Sequence, residues 1–217
     1  MSLNVVNAAS RIDLADQIGE AGLSIPDRGV RTNQDEEAYL CRRFILGMAA
    51  DERLSYPISI RQSDAPDFEI TEGREVWQLE ITQATSNDDQ VGLTRFAKSA
   101  VSVAPNGHFG GRGLGGYQGD QPEFEVISDI VDAINRKKAK EYAKESCRLL
   151  VYVNSNPGLV VHTDRLFEML PDRLPQHPFD AVYVYANGIF GEFPNASKMQ
   201  GGDHAANNDV EDLRKGI

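Results

Sequence analysis

The chain has 217 residues and 23.9 kDa, is 41% hydrophobic and 25% charged, and sets 22 basic against 33 acidic residues for a net charge of −11. That is enough for one domain with a sizeable core. No apolar run nears the roughly 18–20 residues of a membrane helix, and the first sixteen residues have neither a basic segment nor a long apolar core, so no secretory signal and no membrane partner is expected.

Cys41 and Cys147 are the only cysteines, which excludes a disulfide framework or a cysteine metal cage and makes a cytoplasmic protein the expectation. The acidic balance argues against a protein that coats nucleic acid. Net charge, however, governs solubility and long-range repulsion rather than what one cleft can hold. The basic residues are also uneven: Arg136, Lys137, Lys138, Lys140 and Lys144 fall close together.

In chain order, residues 1–32 read as a short amphipathic helix around Ile12–Ile18 and a Gly/Pro-containing connection through Pro26 and Gly29. Ala38, Cys41, Phe44, Ile45 and Met48 then recur at helical spacing as far as Asp51, with Asn33 or Asp35 as the cap. From Pro57 the period changes to two, and Ile58–Ile60, Pro66–Thr71 and Val76–Ala84 read as strands. Residues 86–100 are partly helical by pattern. Asn106–Gly119 holds seven glycines and reads as a mobile loop.

A long helix is predicted over Glu123–Lys144, an interior strand over Arg148–Asn154, and a short helix over Thr163–Leu170 with Thr163 as its cap. Asp180–Tyr185 and Ile189–Phe193 form a hairpin around Asn187-Gly188. The polar remainder, 195–217, reads as a frayed tail. With no internal repeat, this order predicts one mixed α/β domain over 33–194.

The informative stretch is residues 63–85. Gly73-Arg74 suits a type II′ hairpin loop, which pairs Glu69 with Gln78, Phe68 with Leu79 and Asp67 with Glu80. In this register Phe68, Ile70, Trp77, Leu79 and Ile81 share an apolar face, while Asp67, Glu69, Gln78, Glu80 and Thr82 share a polar one. Two carboxylates side by side repel, and a divalent cation reverses the sign. Mg²⁺ in particular takes hard oxygen ligands. Solvated acids on an open sheet face are the plain alternative.

Pro66-Asp67 followed across a hairpin by Glu80-Ile81-Thr82 resembles the PD-(D/E)xK motif of the restriction-endonuclease-like nucleases, and the likeness extends over residues 33–155. The resemblance implies a mixed central sheet flanked by helices and phosphodiester hydrolysis dependent on Mg²⁺ or Mn²⁺. Asp67 and Glu80 would be ligands, with the Ile81 backbone a third. The departure is Thr82, which stands where the motif has lysine and cannot supply a cation.

A lysine from the long helix can substitute. Around a face defined by Ile127, Ile130, Val131 and Ile134, Lys138 lies about 30° from the centre and Lys137 about 70°, so Lys138 is the expected catalytic lysine. The bland reading is a side chain that snorkels near a helix end. Glu37 aligns with the apolar stripe of its helix and Glu36 does not. Because some nucleases of this resemblance add a helical glutamate to the metal site, Glu37 is the expected fourth ligand. Gln83 falls on the apolar side and is a weaker candidate.

Other signals fail. Gly111–Gly116 spells GxGxxG but follows no strand and opens no helix, so a dinucleotide site is not expected. Arg112 in that loop is instead a candidate phosphate contact, together with Arg136, Lys137 and Lys140. His108, His162, His177 and His204 are scattered without zinc spacing. Neither cysteine and no serine has an activating context.

The expectation is a metal-dependent nuclease with nucleic acid as its partner, and with a homodimer in keeping with the resemblance. The alternative, favoured by Thr82 and the net charge, is a nuclease-like domain that has lost its chemistry and serves in binding or assembly. An unrelated α/β enzyme with a coincidental hairpin is the third reading.

Overall fold

The computed structural model describes residues 5–20, 32–85, 121–140, 146–154 and 161–195. The expected helix over 86–100, the glycine loop with Arg112 and His108, Tyr142, Lys144, His204 and the tail beyond Asn195 lie outside these residues. A seven-stranded mixed sheet forms the centre, its strands in chain order: β1 (Val5–Ala8), β2 (Ile58–Gln62), β3 (Phe68–Glu72), β4 (Glu75–Ala84), β5 (Cys147–Val153), β6 (Ala181–Ala186) and β7 (Ile189–Pro194). β4, β5 and β6 run parallel; every other neighbouring pair is antiparallel. The chain is therefore α/β, as its alternating pattern predicts.

Helices cover both faces. α1 (Arg11–Glu20) and α2 (Asn33–Ala50) lie on one, and α3 (Pro122–Lys138) and α4 (Thr163–Met169) on the other. The alternation of β4 divides accordingly. Trp77, Leu79 and Ile81 join Phe44 and Ile45 of α2 in one core. Ala84, with Leu149 and Val151 of β5, meets Ile130 and Ile134 of α3 in the other. Of the expected polar face, Asp67, Glu69, Gln78 and Thr82 are half-buried and Glu80 is buried; the second core lies on the same side, where crossover helices cover the parallel strands. Among the described residues no helix is long and apolar enough to cross a membrane.

Local chemistry explains the boundaries. Thr32, rather than Asn33 or Asp35, is the N-cap of α2: its side chain accepts from the Asp35 N–H while the Asp35 carboxylate accepts from the Thr32 N–H, a reciprocal capping box. Gly73 has φ +58° and Arg74 is not left-handed, as a II′ loop requires. Asn187 and Gly188 are both left-handed, the type I′ pattern. Thr163 is the first residue of α4 and His162 its N-cap, without a side-chain cap bond.

β1 has no counterpart in the sequence reading. It pairs with β2, and α1 buries Leu14 and Ile18 in the α2-side core, so the N-terminal segment is built into the sheet.

Candidate functional site

β3 and β4 pair in the expected register, Phe68 with Leu79 and Glu69 with Gln78. Asp67 immediately precedes β3, whereas β4 continues to Ala84 along β5. This leaves a fork where β3 stops. Asp67 sits at the fork: the Ser63 N–H donates to its carbonyl at 2.9 Å, and the Ser63 hydroxyl donates to the Pro66 carbonyl. Its Oδ2 accepts the Ile81 N–H at 2.6 Å. In a strand the amide and carbonyl of one residue point to the same neighbour, so the Ile81 carbonyl is also directed to the Asp67 side.

Glu80, next along β4, is 3% exposed beneath α3. It forms an ion pair with Lys137 Nζ from the last turn of α3. Lys138, the expected lysine, is exposed, and Lys137, expected as a phosphate contact, is the one that reaches Glu80. The physical reason is where the helix centres its buried face. Glu123, Val126 and Ala133 are buried with Ile127, Ile130 and Ile134, while Val131 is only half-buried. Replacing Val131 by these three rotates the centre so that Lys137 lies about 25° from it and Lys138 about 75°.

Burial, then the neighbouring Glu80 carboxylate, push the Asp67 pKa up to about 7 against the lowering effect of the Ile81 N–H; Glu37 pushes the same way and Lys137 opposes. Glu37, half-buried on α2, has its own pKa raised by burial, relieved by Lys137 and reinforced by Glu80. Thus Asp67, Glu80, Glu37 and Lys137 lie within electrostatic reach of one another. They come from the residue before β3, from β4 and from helices on opposite faces of the sheet.

Among the described residues, no three His, Cys, Asp or Glu side chains are grouped closely enough to hold a metal ion as they stand. The fit of a hard dication is carried by the donor chemistry. Two carboxylates and a strand carbonyl are all oxygen donors of the kind a hard dication takes, and burial with the Glu80 charge disfavours the ionised form of Asp67.

The remaining candidates fall as follows. Thr82 is half-buried two residues beyond Glu80. Arg136 is exposed, and its Nη2 donates to the Gln83 carbonyl at 3.1 Å, tying the end of α3 to β4. Lys140 is exposed and Arg112 lies outside the described residues. Both cysteines are free and buried, and burial pushes the Cys41 thiol far above its ordinary value, against a nucleophilic role. Searches of protein-family models, of curated proteins and of solved structures find no match to this chain.

Proposed function

We propose that the protein is a divalent-metal-dependent phosphodiesterase of the restriction-endonuclease-like kind, acting on nucleic acid. The observation that carries this reading is the ion pair between Glu80 and Lys137 beside Asp67. A lysine from α3 brings a cation to the acidic pair where Thr82, in the motif position, cannot.

In this reading Asp67, Glu80 and the Ile81 carbonyl hold Mg²⁺ or Mn²⁺, and Glu37 adds negative charge nearby. The bound ion would polarise a phosphate oxygen and lower the pKa of a water. The chain's own residues do the rest. The Ile81 N–H fixes one Asp67 oxygen, so the carboxylate is oriented before a ligand arrives. Lys137 stabilises negative charge developing on the attacked phosphate. Arg136 ties α3 to β4 immediately beside Lys137 and keeps that charge in place.

The test has two arms. Mn²⁺ should raise the melting temperature of the wild type and not of Asp67→Ala or Glu80→Ala. Cleavage of plasmid DNA or of RNA should fall at least a hundredfold in Lys137→Ala. A metal-dependent shift without cleavage of either substrate would instead support a binding module, the reading favoured by Thr82 and by the net charge.

A further inference from the structure

Glu80 is the most enclosed carboxylate of the site, and the cation at its Oε1 is the ammonium of Lys137. That ammonium also acts on the other two acids. Burial raises the pKa of Asp67 and of Glu37, Glu80 adds to both, and Lys137 is the cation that opposes. One monovalent charge therefore faces three carboxylates drawn from α2, β4 and the residue before β3.

Lys137 is placed to leave Glu80. Its side chain is 25% exposed, against 3% for Glu80, and it stands in the last turn of α3 on a flexible four-carbon stem. Arg136 holds the end of the helix to the Gln83 carbonyl, so the ammonium can swing while the helix stays.

We propose that Lys137 is a built-in counter-ion that a dication must displace from Glu80, which makes this lysine the residue that sets metal affinity; the inference rests on the metal reading above. A carboxylate oxygen beneath a helix has little room for two cations. An ammonium and a dication on one oxygen stand a few ångströms apart, where water screens them poorly. A monovalent ion gains nothing by replacing an ammonium tethered at high effective concentration. A dication brings a second charge, which Asp67 and the Ile81 carbonyl share with Glu80. Displacement thus favours divalent over monovalent ions, and it frees the Lys137 charge for the phosphate.

The test is calorimetric titration of Mn²⁺ into the full chain at fixed ionic strength, without nucleic acid. Lys137→Met should bind Mn²⁺ roughly tenfold more tightly than wild type, although it cuts no substrate. Lys137→Arg keeps a cation at Glu80 and should stay within about threefold of wild type. Lys138→Met makes the same change in net charge one residue away, on an exposed side chain, and should also stay within about threefold. Lys137→Gln, which retains an N–H donor for Glu80, serves if the methionine variant does not fold. Affinity unchanged or weakened in Lys137→Met (or Lys137→Gln), or an equal gain in Lys138→Met, overturns the proposal. If wild type in that case binds Mn²⁺ and Asp67→Ala does not, the displacement alone is wrong; if neither wild type nor any Lys137 variant binds Mn²⁺, the metal reading falls with it.

Discussion

At Asp67 the protein carries a carboxylate whose charge the fold resists. Its pKa is raised in the folded state to about 7 by burial and by Glu80, so its contribution to stability is fully present below the unfolded value of 3.8 and is lost as pH rises through about 7. Asp67→Asn keeps an oxygen for the Ile81 N–H and removes the charge. Without divalent metal at pH 8 it should therefore stabilise the protein, by on the order of 1 kcal/mol once solvent screening is allowed for, with the gain shrinking toward pH 5 in thermal melts.

Lys137→Met should do the opposite. It leaves buried Glu80 without its ammonium partner and should cost about 1–3 kcal/mol in denaturant titrations, whereas Glu80→Gln with Lys137→Met should recover most of the loss. Additive losses in that double-mutant cycle would refute the coupling.

Among the elements, α2 carries the most. It holds Glu37 toward the fork, Cys41, Phe44 and Ile45 in the core, and Arg43 at the Tyr185 hydroxyl. Its N-terminus depends on the Thr32–Asp35 box, so Thr32→Ala should lower stability by about 1 kcal/mol in urea titrations, and Thr32→Ser should restore it. α3 works from the other face, and its last turn delivers Arg136 and Lys137 to carbonyl and carboxylate acceptors three residues apart on β4. At the opposite end of α2, Arg53 pairs with Glu192, which also accepts the Tyr183 hydroxyl at 2.8 Å, linking the segment after α2 to β6 and β7.

For the whole molecule, the sheet runs from β1 to β7 without a break, and the N-terminal segment shares its core. Ile18→Ala should therefore cost about 2–4 kcal/mol and shift the single unfolding transition, rather than melting α1 alone. A separate early transition with the main midpoint unmoved would show that residues 5–20 are independent of the sheet.

The strands and their register were legible because alternation and turn chemistry are local. Phe68, Ile70, Leu79 and Ile81 mark one face, Gly73 admits the turn, and together they align Phe68 with Leu79 and Glu69 with Gln78. β1 was not legible, since four residues of VVNA carry no period that separates a strand from a loop. The choice between Lys137 and Lys138 was beyond composition too. The two sit on the same helix end, and only the packing of Ala133 and Val126 against β5 and its neighbours sets the rotation that turns one lysine toward Glu80. Hydrophobic period and turn residues are short-range properties, readable along the chain; which side chain closes a site formed by two strands and opposing helices depends on helix rotation and on where β3 stops, and those arise only when distant segments pack.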